Sequence, residues 1–388
     1  MAVAVSGFKG ARLTQARNAR GLTAVSLADM VDVSPSTISL YEKGTQKPRQ
    51  EILDRLSHVL NVPTAFFLRD VNIEKPTKLF YRSMSAATKA ARTRAEARYE
   101  LSLELIEYLL EYFDFPDVNL PDIDIPNNFK EIDSLIIESI AEQLRQHWML
   151  GDGPVSNMVR TLESNGIVVW RTAFEAETLD AFSEHRSPHP LVVLSSDKEN
   201  YFRSRFDAAH ELGHLILHKN VDKKSITKSS DFKILENQAH YFAGSFLLPA
   251  MAYSKELWGI SLEAFRSLKP RWNVSMAVQI KRCSQLGLID ELQEKRLWIN
   301  LSRRGWRKRE PLDDSTQSEI PNLIPKSIKL LIQEKVKTGD QIAQDLTLNT
   351  SEIEKICELE AGLLGGRQNP NAGPTLKHHG NKVVPFKR

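Results

Sequence analysis

The sequence predicts a mostly α-helical fold with one small β-sheet, in the α+β class. Apolar residues recur at helical spacing through most of the 388 residues. Two short runs, 167–170 and 191–194, are wholly apolar and rich in valine and isoleucine, as expected for strands. A chain of this length is expected to hold two to four domains.

Changes in charge and proline content predict how the chain is divided. A basic stretch gives way to an acidic one, and apolar spacing predicts a single helix over 86–113 across that change. Pro116, Pro121 and Pro126 then indicate an extended linker. The predicted regions are an N-terminal helical bundle at 1–70, a bridging helix and proline-rich linker at 71–130, a central α+β domain at 131–300, a small helical C-terminal region at 301–365 and a disordered tail at 366–388.

Composition limits the possible functions. Hydrophobic residues make up 41% and charged residues 26%, which is typical of a globular protein and excludes collagen-like or wholly disordered chains. No apolar run reaches the roughly 18 residues of a transmembrane helix, and the N-terminus lacks a signal-peptide core. We therefore expect a cytoplasmic protein with no membrane partner. Cys283 and Cys357 are the only cysteines, which excludes a disulfide framework and a cysteine-rich metal site.

Two short helices are predicted near the N-terminus. Thr23 follows Gly21 and would cap the first helix. Ser34, followed by Pro35, would cap the second, which ends at Gly44. Two such helices joined by a tight turn form a helix-turn-helix, whose second helix enters the major groove of DNA.

The stretch from Leu13 to Pro63, which includes RGLTAVSLADMVDVSPSTISLYEKGTQKP, resembles the Xre/Cro-type helix-turn-helix family. The resemblance implies that DNA is a partner, and a homodimer would read a full site because one unit covers half of it. The implied DNA-binding residues are Thr23, Ser34, Ser36, Thr37, Ser39, Lys43, Gln46 and Lys47. Hydroxyl groups read bases weakly, so phosphate contacts are easier. The family often has Gln where this chain has Ala24, and a helix-turn-helix used for protein docking is the alternative.

A metal-binding pattern lies in RFDAAHELGHLILH, whose apolar residues have helical spacing. His210 and His214 would project from one face one turn apart, so that both imidazoles could bind one tetrahedral zinc ion. Glu211 would lie beside that face, where it could act as the catalytic base. This H-E-x-x-H pattern is typical of metallopeptidases. Histidine and carboxylate ligands also admit manganese or iron.

A third ligand is sought among carboxylates. The metzincin continuation needs Gly and His where this chain has Leu217 and Asn220, so that class is excluded. Glu236 shares a face of the next helix with small residues that favour close packing, and it is the predicted third ligand. His240, one turn later, could orient a ligand or stabilise the transition state. We place His218 at the rim, because positions eight residues apart on a rigid helix are separated by about 12 Å. Either histidine could instead be an ordinary structural residue.

Residues 152–300 resemble the ImmA/IrrE family of metallopeptidases. The family's segments occur in order, as GPVSNMVRTLESNGIVVW, DAFSEH, PLVVLS, RFDAAHELGHLILH and ENQAHYFAGSFLLP. The resemblance implies a gluzincin-like domain with one zinc ion per chain, held by His210, His214 and Glu236, and with Glu211 as the base. It also implies a protein substrate, since several members cut a partner repressor that has an Xre-type domain. Four residues after the third ligand the family commonly has Asn or Asp, whereas this chain has His240.

Two functional hypotheses follow from these patterns. The first is a DNA-binding regulator whose zinc endopeptidase domain cleaves a partner repressor and so controls transcription in a stress, phage or mobile-element response. The alternative is a non-catalytic Xre-family transcription factor whose metallopeptidase-like domain is a sensor or a partner-binding module. Beyond these two, a toxin or antitoxin partnership would appear as strong binding to a neighbouring gene product without proteolysis. Residues 338–359 repeat the helix-turn-helix spacing and could be a second DNA reader. The basic cluster at 303–309 is either a phosphate contact or a solvated linker.

Overall fold

The computed structural model describes residues 4–71, 88–173, 175, 180–197, 200–221, 226 and 228–365. Helices dominate, and they are accompanied by a three-stranded sheet, so the predicted α+β class is confirmed. The predicted disordered tail at 366–388 lies outside the described residues. Among the described residues, no helix is long and apolar enough to cross a membrane.

The N-terminal bundle contains α1 (Gly10–Ala19), α2 (Ala24–Val31), α3 (Pro35–Glu42) and α4 (Gln50–Leu60). Both predicted helix caps form. The Thr23 hydroxyl accepts a hydrogen bond from the Ser26 amide, and the Ser34 hydroxyl accepts one from the Thr37 amide. Asp32 ends α2 in the left-handed conformation, which turns the chain toward α3. A 3₁₀ turn at Thr64–Leu68 completes the bundle.

The bridging helix is α5 (Lys89–Leu110), which is three residues shorter at each end than predicted. It is a packed element rather than a free spacer. Arg12 of α1 forms a buried ion pair with Glu104 of α5. On another part of α5, the Tyr99 hydroxyl donates a hydrogen bond to Glu184, which belongs to the sheet. The helix therefore joins the N-terminal bundle to the sheet.

The sheet consists of β1 (Val168–Thr172), β2 (Ala181–Glu184) and β3 (Leu191–Ser195). The central strand, β3, is parallel to β1 and antiparallel to β2. The two strands predicted from apolar runs are present. The sequence did not predict β2, because its serine and glutamate interrupt the apolar pattern.

The sheet separates two hydrophobic cores, because alternate side chains of a strand point to opposite faces. Val168 and Trp170 of β1 pack in the first core with the N-terminal bundle and α5. Val169 of β1 and Val192 of β3 pack in the second core. The second core is completed by α6 (Ser134–His147), α7 (Met158–Ser164), α8 (Tyr201–Leu217), α9 (Ser229–Leu247), α10 (Ala250–Glu256), α11 (Leu262–Trp272), α12 (Met276–Gln285) and α13 (Glu291–Arg303).

The C-terminal helices are α14 (Leu323–Gln333), α15 (Gly339–Leu346) and α16 (Thr350–Ile356). They share the first hydrophobic core with the N-terminal bundle and α5. Glu163 of α7 fixes the start of α14, since its carboxylate accepts hydrogen bonds from the amides of Asn322 and Leu323. The C-terminal region is thus attached to both cores, and the division of the chain into five regions stays a prediction.

The pair α15 and α16 repeats the geometry of α2 and α3. An eight-residue helix ends in each case at a left-handed residue, Asp32 with φ 56° or Thr347 with φ 52°, and the next helix begins three positions later. The helix-turn-helix spacing at 338–359 is therefore present. However, Glu352 and Glu354 of α16 are buried, and Glu352 forms an ion pair with Arg20 of the N-terminal bundle. These buried acidic residues do not form a surface that could read DNA.

Candidate metal centre

The site lies where α8 and α9 pack against each other. The side chain of Asn200 caps α8 by accepting a hydrogen bond from the Arg203 amide. Gly213 of α8 faces α9 so closely that a Cβ there would lie 3.2 Å from Cα of Ala239. Small residues at both positions allow this approach. It brings Glu236 of α9 to the face of α8 that carries the two histidines.

Three donor groups converge at this contact. The Nε2 atoms of His210 and His214 are 3.1 Å apart. Glu236 places Oε2 3.3 Å from the Nε2 of His210 and Oε1 3.4 Å from the Nε2 of His214. Ligand atoms about 2.1 Å from a tetrahedral ion are about 3.4 Å from one another, so these separations fit a single metal ion. Among the described residues, no other group of three histidine, cysteine or acidic side chains is arranged to hold one.

The charges at the site also favour a cation. Burial lowers the pKa of His210 to about 4, so this imidazole is neutral near pH 7. Burial raises the pKa of Glu236, but hydrogen bonds with His210 and His214 outweigh it and hold the pKa well below its ordinary value. Burial lowers the pKa of His214, but the contact with Glu236 outweighs it and raises that pKa. The carboxylate therefore stays ionised, and it is the negatively charged donor of the group.

Glu211 is buried beside this group. On β2, the Ser183 hydroxyl donates a hydrogen bond to Glu211 Oε2 at 2.6 Å. Burial raises the pKa of Glu211 to about 7, a value that suits a general acid or base at neutral pH. Ser183 was not among the predicted site residues. Its only signal in the sequence is its place in the DAFSEH segment.

His240 lies on the exposed side of the site. Its Nδ1 donates a hydrogen bond to the backbone carbonyl of Glu236 at 2.9 Å. Its ring stands edge-on to that of His210, with 4.3 Å between centroids, and the Phe206 ring packs against it at 5.7 Å. Because Nδ1 holds the proton of the neutral ring, Nε2 can only accept a hydrogen bond. The His240 ring must be protonated before Nε2 can donate to an oxyanion.

The prediction that His218 lies at the rim is wrong. The side chain is buried, because the bond from the His218 amide to the His214 carbonyl keeps His218 one turn beyond His214, where Gln238 of α9 contacts it. Its Nδ1 is 3.0 Å from Nδ1 of His214, and its Nε2 is 3.1 Å from Oε1 of Gln238. Burial lowers the pKa of His218 to about 3. His218 and Gln238 therefore lie behind His214, on the side away from Glu236, and Gln238 was not among the predicted residues.

The predicted DNA-binding residues differ in their availability. Lys43, Gln46 and Lys47 are exposed. The Ser34 hydroxyl hydrogen-bonds to those of Ser36 at 2.7 Å and Thr37 at 2.8 Å, and Thr23 Oγ1 lies 2.8 Å from Ser26 Oγ. Ser39 is partly buried. The hydroxyl residues thus have structural partners at the helix starts, and the contacts with DNA stay a prediction.

Two regions of the chain match known families. Residues 13–67 match the family described as helix-turn-helix. Residues 162–284, which include the three donor groups and Glu211, match the family described as the IrrE N-terminal-like domain, a peptidase family. No curated protein matches the chain. The two matches confirm the predicted fusion of an Xre-type helix-turn-helix with an IrrE/ImmA-like region of the metallopeptidase type.

Proposed function

We propose that this DNA-binding regulator uses its IrrE-like region as a zinc-dependent endopeptidase that cleaves a partner repressor and thereby controls transcription. One observation carries the proposal. The donor atoms of His210, His214 and Glu236 approach one another within 3.4 Å, and the buried carboxylate of Glu211 lies beside them. A ligand set and an adjacent base are the two parts that metal-assisted peptide hydrolysis requires.

Zinc held by His210, His214 and Glu236 would supply a Lewis acid that polarises the scissile carbonyl. Glu211 would accept a proton from the attacking water and pass it to the leaving amine. The hydrogen bond from Ser183 would keep that carboxylate in place. His240 in its protonated form would donate from Nε2 to the developing oxyanion.

The partners follow from the fusion. The helix-turn-helix would bring the peptidase to an operator, where exposed Lys43 and Lys47 suit phosphate contacts. A repressor or antitoxin-like protein bound nearby would then be the substrate. A homodimer would read both halves of a two-fold operator. Because its operator and its substrate would both be in the cytoplasm, we propose that this protein acts there.

The test measures cleavage of repressors encoded near this protein by the zinc-loaded full chain. Glu211→Gln should retain zinc but lose about 10²- to 10⁴-fold in cleavage rate, because it lacks the base. Glu236→Ala should lose zinc. Glu142→Gln, an exposed change on α6, is the matched control and should cleave as the wild type does. Cleavage by Glu211→Gln at the wild-type rate would disprove the proposal.

The second candidate is a non-catalytic transcription factor whose IrrE-like region senses a ligand or binds a partner. His240 favours it, because this residue stands where the ImmA/IrrE family commonly has Asn or Asp and because the neutral ring cannot donate from Nε2. In that case the effector would change the DNA affinity of Glu211→Gln as much as it changes that of the wild type. An endopeptidase with the same substitution would leave the repressor uncut.

A further inference from the structure

We infer that His218 and Gln238 are positioning residues for the metal site, which fix the tautomer and orientation of the His214 ring. The inference rests on the proposed function and deepens it, since it concerns the same ligand set. Its basis is a chain of hydrogen bonds that runs from His214 away from the donor group and ends on the backbone.

The chain has four members. Nδ1 of His214 lies 3.0 Å from Nδ1 of His218, and Nε2 of His218 lies 3.1 Å from Oε1 of Gln238. The amide nitrogen of Gln238 then donates to the backbone carbonyls of Phe129 at 2.7 Å and Ile132 at 2.8 Å. His218 and Gln238 are both buried, so water does not compete for these bonds.

The proton positions along this chain follow from the backbone end. Both amide protons of Gln238 are used by carbonyls, so its Oε1 faces His218 and must accept. His218 therefore carries its proton on Nε2 and accepts with Nδ1. His214 must then donate from Nδ1, which leaves its Nε2 lone pair directed at Glu236 and His210. Each bond thus selects the tautomer of His214 that a metal ligand needs.

The two histidine ligands are supported differently. Nδ1 of His210 is buried and has no hydrogen-bond partner among the described residues. Its ring is instead held by packing against His240, with 4.3 Å between centroids. Of the two histidine ligands, only His214 is therefore oriented by a hydrogen bond at Nδ1, and loss of His218 should affect that ligand without removing either of the others.

The positions of the two residues explain why the chain can form. His218 ends α8 one turn after His214, so its ring can turn back to the Nδ1 side of that ligand. Gln238 follows Glu236 by two residues on α9, which places the ligand and the anchoring amide on different sides of one helix. A 3₁₀ turn at Phe129–Glu131 and its C-cap residue, Ile132, supply the carbonyls.

The experiment measures the dissociation constant for zinc, by competition with a chromogenic chelator, on the full-length protein. His218→Phe keeps an aromatic ring but removes both nitrogens, and it should raise the Kd about 10- to 100-fold. His218→Gln offers an acceptor and a donor again and should restore much of the affinity. His58→Phe, an exposed histidine on α4, is the matched control and should bind zinc as the wild type does.

A second measurement needs no variant. Long-range proton–nitrogen correlation spectra of the zinc-loaded, histidine-labelled wild type should show the proton on Nδ1 of His214 and on Nε2 of His218. The opposite tautomers would overturn the inference even if His218→Phe failed to fold. Equal zinc affinity in wild type and His218→Phe would overturn it and leave the proposed function standing. Absence of zinc binding by the wild type would overturn both.

Discussion

The buried ion pair between Arg12 of α1 and Glu104 of α5 holds the DNA-binding bundle to the rest of the chain. Its removal tests how much it contributes. The two side chains are 1% and 8% exposed, and Nη1 lies 2.5 Å from Oε1. Glu104→Leu would leave the guanidinium buried without its carboxylate. Breaking a buried pair from one side costs about 3 to 5 kcal/mol, whereas an exposed pair is worth about 1 kcal/mol or less.

The structure favours the lower end of that range. Arg12 would keep hydrogen bonds to Gln15 Oε1 at 2.7 Å and to the carbonyls of Arg69 at 3.2 Å and Asp70 at 2.7 Å. We therefore expect a cost of about 3 kcal/mol. At about 1.4 kcal/mol for each factor of ten, separation of α1 from α5 becomes about 100-fold more populated.

Hydrogen exchange followed by mass spectrometry measures this opening, because the amides of α1 and α5 exchange when the helices separate. Peptides within 10–19 and 97–109 should exchange about 100-fold faster in Glu104→Leu, while peptides from α6 should be unchanged. Arg12→Met combined with Glu104→Leu should recover most of the protection, since no charge then remains buried. An acceleration below roughly fivefold, the effect of a surface pair, would refute the reasoning.

Two further predictions concern charge in the same half of the molecule. Burial raises the pKa of Glu100 from 4.5 to about 7. The folded protein therefore holds the proton more tightly than the unfolded chain does. The contribution of this group to the free energy of unfolding is fully present below about pH 4.5 and is lost as the pH rises toward 7. Glu100→Gln should therefore melt at a higher temperature than the wild type at pH 8 but not at pH 4, and equal melting temperatures at pH 8 would contradict this. Lys47→Ala should weaken binding to all DNA sequences alike and reduce the slope of log affinity against log salt by about 1 in anisotropy titrations. The exposed Lys355→Ala on α16 should leave that slope unchanged, and a loss equal to that of Lys47→Ala would show that α16 also contacts DNA.

Features that depend on neighbours in sequence could be predicted. The caps Thr23 and Ser34 form with amides three residues away, and His210 and His214 share a face because the helical repeat places them there. The sequence also indicated that Glu236 would lie close to this pair, because small residues allow α8 and α9 to approach each other. The helical repeat and the sizes of the side chains are enough to predict these features.

Contacts between distant segments could not be predicted in this way. Gln238 bonds to carbonyls that lie 106 and 109 residues earlier in the chain, and no periodicity encodes that pairing. The burial of His218 could not be predicted either, because its partner Gln238 lies on another helix, 20 residues further along the chain. Ser183 was missed with its strand, because β2 has only four residues and a mixed pattern that is too weak to indicate a strand.

The strand β2 also shows why the two halves of the chain belong together. Ser183 and Glu184 are consecutive, so their side chains point to opposite faces of the sheet. Ser183 contacts Glu211 of the candidate site, whereas Glu184 accepts the hydrogen bond of Tyr99 from the bridging helix. A fragment limited to the predicted central domain at 131–300 would remove that helix and expose the face of the sheet that carries Val168, Trp170, Phe182, Leu191 and Val193. Loss of this apolar contact would destabilise the strand that supports Glu211, and measurements of zinc binding and cleavage therefore require the full chain.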